Sequence, residues 1–236
     1  MLTLLTLLML SVSPVLEVQT GAQLDPAQLP LTAATANDFV PKGWMIENET
    51  IGDLNNDSIP DLAVTLVEQL PPGAKEIEVT GPPERQRALL ILFKTQNGKF
   101  QRVALANKVL LCTRCGGAFF GMVETPTNVE ISKGVIIINQ EYGSRELDKE
   151  TFRFRYEPET KRFAFIGVDV NSHDRLTGEN VVQSINFLTG FKLTTKTRID
   201  DRTGDEKRTL NKGQRIQRSK KYIEDVIAGY GTQEKI

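Results

Sequence analysis

Thr151-Phe-Arg-Phe-Arg-Tyr156 is followed by Glu157-Pro-Glu-Thr-Lys161 and then by Arg162-Phe-Ala-Phe-Ile-Gly-Val168. In the first run Phe152, Phe154 and Tyr156 face one way and Arg153 and Arg155 the other. That period of two belongs to a β-strand with one side on a core. The polar, Pro-containing pentapeptide turns the chain, and the apolar run after it reads as the returning strand. One stretch therefore predicts an antiparallel hairpin.

The same pattern recurs on both sides. Val129-Glu-Ile-Ser-Lys-Gly-Val-Ile-Ile-Ile138 reads as a hairpin with Lys133-Gly134 at its turn. Residues 181–188 and 191–197 read as strands joined by Thr189-Gly190. Upstream, Asp61-Leu-Ala-Val-Thr-Leu-Val67 and Ala88-Leu-Leu-Ile-Leu-Phe93 are compact apolar runs, the second apolar enough to be central. Between them Pro71-Pro72-Gly73 and Gly81-Pro82-Pro83 bracket a long exposed connection. Gln96-Asn97-Gly98-Lys99 reads as a tight two-residue turn, since Asn-Gly tolerates positive φ, and it leads into a strand over residues 100–105.

Hairpin-sized connections between so many short strands predict a mainly β protein, an antiparallel, sandwich-like meander. Residues 38–211 form its single domain. Residues 23–37, rich in Ala, Thr, Pro and Gln, read as a linker. Over residues 212–236 the expectation is a C-terminal helix and tail. Ile216, Ile223, Val226 and Ile227 lie near one face at helical spacing, and Gly229 is placed to cap the end. The basic run from Lys207 to Lys221 follows Asp200, Asp201, Asp205 and Glu206, and it reads as a solvated helix face rather than as a patch for an anionic partner.

The chain has 236 residues, 39% hydrophobic and 25% charged, enough to bury a core. Its 29 basic and 30 acidic residues give a formal net charge of −1, which excludes a general electrostatic attraction to nucleic acid or anionic membrane. The apolar run from Met1 to Leu16 is short for a membrane span and suits a signal peptide over residues 1–22, with small residues Thr20-Gly21-Ala22 at its end. No Lys or Arg precedes the run, so a buried N-terminal element or an uncleaved anchor stands as the alternative. The expectation is export, to the periplasm or the extracellular space, with no stable membrane insertion of the mature chain.

Cys112 and Cys115 are the only cysteines. They are too few for a zinc site, and Gly116 stands where haem attachment needs His. In an oxidising compartment they read as a structural disulfide, eased by Gly116-Gly117, with free thiols and redox chemistry as alternatives.

Ile51-Gly-Asp-Leu-Asn-Asn-Asp-Ser-Ile-Pro-Asp-Leu62 carries the legible chemistry. Asp53, Asn55, Asp57 and Asp61 occupy relative positions one, three, five and nine. Calcium takes six to eight oxygens, and a short loop can curl three alternate side chains around it. Ile59 would add its backbone carbonyl at position seven, and Asp61 would ligate directly or through water. Without a cation the three carboxylates repel one another, so the ion supplies order. The competing reading is an Asx-rich turn with no metal.

Ser58 at position six and Val64 at position twelve depart from the EF-hand, and a strand follows rather than a helix. The segment instead resembles the calcium loop of FG-GAP and VCBS-type repeats, Gly-Asp-x-Asn-x-Asp-Gly-x-x-Asp-Leu, at Gly52, Asp53, Asn55, Asp57, Asp61 and Leu62, with Ser58 replacing Gly. Phe152-Arg-Phe-Arg-Tyr156, Phe165-Ile-Gly-Val-Asp169, Arg175-Leu-Thr-Gly178 and Asn186-Phe-Leu-Thr-Gly190 resemble exported bacterial proteins that carry one such loop. That resemblance implies a shared fold and export, and no activity. Asp169-Val-Asn-Ser-His-Asp174 is a faint second loop, more simply a polar turn. One loop does not build a full propeller.

No catalytic set is legible. His173 is the only histidine, and neither a Gly-x-Ser-x-Gly elbow nor a phosphate-binding Gly-rich loop occurs. The expected function is a calcium-stabilised, non-catalytic β module with a binding or structural role toward a protein or glycan partner. The alternatives are a glycan hydrolase using two carboxylates drawn from residues such as Glu124, Glu141, Glu146 and Asp169, and an inhibitor or partner of another exported protein.

Overall fold

The computed structural model describes residues 23–70, 83–121, 123–200, 202–218 and 220–229. Residues 1–22, expected to be a signal peptide, most of the Pro-flanked connection after residue 70 and the tail after residue 229 lie outside them.

The described strands are β1 (Thr32–Ala33), β2 (Trp44–Gly52), β3 (Asp61–Glu68), β4 (Arg87–Lys94), β5 (Phe100–Ala106), β6 (Thr127–Ser132), β7 (Val135–Gly143), β8 (Glu146–Glu157), β9 (Arg162–Asp174), β10 (Asn180–Asn186), β11 (Phe191–Ile199) and β12 (Glu206–Arg215). They form a five-stranded sheet ordered β1-β5-β4-β3-β2 and a seven-stranded sheet ordered β12-β11-β10-β9-β8-β7-β6. Every pairing is antiparallel. Beyond β1, neighbours in space are neighbours in sequence, which keeps the loops short and their closure cheap. The meander and the two-layer arrangement match the expectation.

The hairpin that led the reading is β8–β9. Phe152 and Phe154 are fully buried, while Arg153 points outward to Asp169 at 2.7 Å. Phe154 stacks on Phe165 at 5.1 Å, and Phe93 from the five-stranded sheet meets Tyr156 edge-on at 4.9 Å. These rings, with Leu89, Ile91, Ile136 and Ile138, form the core between the sheets. At the sheet–sheet contact Thr50 Oγ1 donates to the Val129 carbonyl at 2.8 Å. A Cβ on Gly52 would lie 2.5 Å from Ile131 Cγ2, so glycine is needed there for close approach rather than for φ.

β4 is the central strand of its sheet, as its apolar run predicted. Leu89, Ile91 and Phe93 face the seven-stranded sheet, while Ala88, Leu90 and Leu92 belong to a second core. That second core is closed by Leu24, Leu29, Ala36, Phe39 and Trp44. Residues 23–37 are therefore not a loose linker: two 3₁₀ turns, Pro26–Gln28 and Ala36–Phe39, and β1 lay them against the sheet. Their apolar side chains are spaced for an irregular cover, which no periodicity reveals.

The expected C-terminal helix is also corrected. Lys207 to Arg215 lie in β12, exposed along its whole length, and the only helical structure described beyond it is a 3₁₀ turn, Ile223–Asp225. Ile223 and Val226 are both buried, because residues three apart share a side of a 3₁₀ turn as they do of a helix. Tyr222 bridges to Ala164, so sheet contacts replace helical hydrogen bonds. Gly229 takes a positive φ, but its N–H is donated to Glu150 Oε1 at 2.9 Å.

Two local readings also change. In the loop after Lys94 only Gly98 has a positive φ, and Gly98 N donates to the Thr95 carbonyl at 2.9 Å, so a wider turn replaces the two-residue one. Asn97 serves through its side chain, which accepts from Thr95 Oγ1 at 2.6 Å. Residues 169–174 lie within β9 and form no loop.

Candidate functional site

The acidic loop spans the gap between β2 and β3, where Gly52 opposite Asp61 is the last ladder pair. Leu54 drops into the main core and anchors it. Asp53 Oδ1 accepts from Asn56 N at 2.7 Å and Asp57 N at 3.3 Å, and its Oδ2 accepts from Ser58 N at 2.9 Å. Asn55 Oδ1 accepts from Asp57 N at 2.9 Å, and Asp57 Oδ1 from Ile59 N at 2.8 Å. Asn55 Nδ2 donates to Asp57 Oδ2 at 3.0 Å. Each Asx side chain thus turns the backbone ahead of it, which is why Asp and Asn recur here. Asn56 and Ser58 take φ of 63° and 66°, the left-handed region that favours glycine.

Asp61 stands apart. It is fully buried, its Oδ2 accepts from Leu54 N and its Oδ1 from Lys94 N, both at 2.9 Å. It ties the loop to the end of β4. Burial pushes its carboxyl above the usual carboxylate range, the two amides oppose this, and the charges of Asp57 and Asp53 add to it. Asp53, Asn55 and Asp57 line the exposed loop, with Ile59 partly buried beside them. Ionised carboxylates have about four lone-pair sites each, so Asp53, Asp57 and Asp61 keep acceptor capacity beyond these bonds. Among the described residues one trio of acidic, thiol or imidazole groups brings its ligand atoms within 4.8 Å of one another: Glu84, Cys112 and Cys115. With the sulfurs bonded to each other, it offers no thiolate to a metal.

Cys112 and Cys115 form the predicted disulfide. Gly117 has a φ of 77° and passes so close to Gly143 that a Cβ would lie 2.6 Å from its carbonyl oxygen. Sequence reasoning missed what holds this loop down. Arg87, buried at the start of β4, donates from Nε and Nη2 to Glu47 at 2.8 and 2.6 Å. Its Nη1 donates to the carbonyls of Thr125 at 3.0 Å and Leu111 at 3.3 Å, on either side of the disulfide. Glu47 is the extra residue of a β2 bulge, which no local signal announces.

Three of the four carboxylates considered for glycan hydrolysis face cations. Glu124 meets Arg85 at 2.6 Å, Glu141 meets Lys149 at 2.9 Å and Asp169 meets Arg153 at 2.7 Å. His173 is exposed on β9, opposite Leu147 and Asn180, and the disulfide occupies both sulfurs. No family model matches this chain, and no curated protein or solved structure matches it either.

Proposed function

We propose that this protein is an exported, non-catalytic β module, stiffened by a calcium ion held at Asp53, Asn55, Asp57, the Ile59 carbonyl and Asp61. The observation that carries the reading is the succession of Asx turns from Asp53 to Ile59, which curls alternate oxygen-bearing side chains around one short loop. Two features add support. Ser58 takes a positive φ where FG-GAP and VCBS-type loops have Gly, and the loop joins two antiparallel strands as theirs does. Calcium would neutralise the charge that Asp53 and Asp57 place beside buried Asp61. Export is supported by the apolar run at the start of the chain and by a disulfide that persists in oxidising compartments. Among the described residues no helix is long and apolar enough to cross a membrane.

Thermal unfolding in excess EDTA, then with added calcium, tests this for wild type and Asp57→Ala. A ligand at a hundred times its Kd stabilises by about 2.7 kcal/mol. An extracellular site as weak as about 10⁻³ M therefore calls for a titration well into the millimolar range. Wild type is expected to gain stability and Asp57→Ala to gain little. No calcium-dependent shift in wild type removes the proposal, and an equal shift in the variant places the ion elsewhere.

A further inference from the structure

β12 ends the seven-stranded sheet, and among the described residues no strand pairs with its other side. The opposite end of that sheet is sheltered, because β6 lies against β2 of the other sheet. β12 is ten residues long and exposed throughout. The backbone groups it offers follow from register. Ile216 N donates to the Gly190 carbonyl at 3.0 Å, next to the pair of Phe191 and Arg215. Bonded and non-bonded positions alternate along an antiparallel pair. Counting back from that bond, Gln214, Lys212 and Leu210 turn their N–H and C=O toward β11, and Arg215, Gly213 and Asn211 turn theirs to the open edge. Such an edge is a template for another chain, and folded proteins usually keep it short or covered. β12 is neither.

The run expected as a solvated helix face is thus an edge strand, and its charge is lopsided. β12 carries Lys207, Arg208, Lys212 and Arg215 against Glu206 alone. Its neighbour β11 adds Lys192, Lys196 and Arg198 with no acid, although Lys196 meets Glu179 at 3.5 Å. The remaining acids of this hairpin, Asp200, Asp201 and Asp205, come between the two strands in sequence. The whole chain has a net charge of −1, so this ribbon is a local concentration of cations.

Edge and charge together select the occupant. Only a polypeptide backbone carries N–H and C=O groups at the spacing a strand edge pairs with. A second copy of β12 would set cation against cation, whereas an acidic strand is drawn to it. Gly213 adds an apolar foothold. The Phe191 ring lies over it so closely that a Cβ would be 2.6 Å from Cζ, and both Phe191 and Leu193 are exposed. We propose that β12 accepts an acidic, extended segment of another protein as an added strand, with an apolar residue opposite Gly213 and acids opposite Lys212 and Arg215. This rests on the non-catalytic binding reading and supplies its partner class, but it does not depend on the calcium loop.

The probe is a capped peptide, Val-Glu-Glu-Phe-Glu-Glu-Val, titrated into the purified protein with calcium and again with EDTA. Its counterparts have Lys in place of Glu, or the same acids on a fully N-methylated backbone that cannot pair. The acidic peptide is expected to shift the backbone amide NMR signals of Asn211, Gly213 and Arg215 saturably, with Kd on the order of 10⁻⁴ M at low salt, and to slow their hydrogen exchange. Asn211→Pro, which removes an outward N–H from an edge strand, should weaken binding about tenfold, while Asn211→Ala should bind as wild type does. Lys212→Glu with Arg215→Glu should shift the preference toward the Lys peptide. No saturable shift with the acidic peptide overturns the proposal. So does equal binding of the N-methylated peptide, which would make the ribbon a patch for any polyanion. Peptide binding without a calcium-dependent thermal shift would sink the calcium reading alone, and the reverse result would sink only this one.

Discussion

The Arg87 guanidinium sits where the two flanks of the disulfide loop meet the five-stranded sheet, with Glu47 on one side and two carbonyls on the other. Removing one partner of a buried ion pair leaves the other charged and poorly solvated. Glu47 keeps partial exposure at 27%, so the cost lies at the lower end of the range for such losses. Arg87→Ala is expected to destabilise by about 3 kcal/mol in urea unfolding. Arg87→Lys should recover little, because one ammonium cannot reach a carboxylate and two carbonyls in a planar fork. Full recovery by Lys would reduce the site to a simple charge. The pair was invisible in the sequence because Arg87 and Glu47 are 40 residues apart and meet only through strand register and a bulge. Asp61 teaches the same lesson. Its spacing read as a ligand position, but only the fold shows that it also holds two backbone amides.

Strands β3 to β11 were legible, because side-chain alternation and turn chemistry act over a few residues, whereas β1, β2 and the polar β12 were not read as strands. Lys133-Gly134 takes the positive φ its position predicts, with 50° and 73°. Where a pattern fitted two structures, local reading failed: the spacing of Ile223 and Val226 suits a helix and a 3₁₀ turn equally. The turn after β9 carries a prediction of its own. Arg145, hydrogen-bonded to Asp174 at 2.7 Å, holds that carboxyl well below the usual carboxylate range against some desolvation. The amides of Leu176 and Thr177 pull in the same direction. A carboxyl with a lowered folded pKa adds stability above its unfolded value of about 3.9, and loses it as the pH falls toward the folded one. Asp174→Asn, which keeps an acceptor for the two amides, should therefore be less stable than wild type near neutrality. The gap should narrow steadily below about pH 4 in urea titrations. A gap independent of pH would show that the carboxylate charge contributes nothing.

At the scale of the molecule, the five-stranded sheet is covered on both faces, by the other sheet and by the segment that begins at Gln23. Phe39 is the largest buried side chain that residues 23–39 contribute to that cover and is almost wholly buried. Phe39→Ala is expected to cost about 3 to 5 kcal/mol, measured by chemical denaturation. Deleting residues 23–39 should expose Leu62, Val64, Leu66, Leu90 and Leu92 together, giving dye-binding, aggregation-prone protein. A deletion variant with native stability would show the cover to be dispensable. The sequence by itself determined the β class, the hairpins, the central place of β4 and the acidic loop between two strands. Period, turn residues and short-range spacing are properties of neighbouring residues, and they survive without knowledge of the whole. Only the tertiary structure decided which faces stack, that residues 23–37 form a third layer, and that Arg87 finds Glu47. Those depend on register summed across strands, where a shift of one residue turns every side chain to the opposite face.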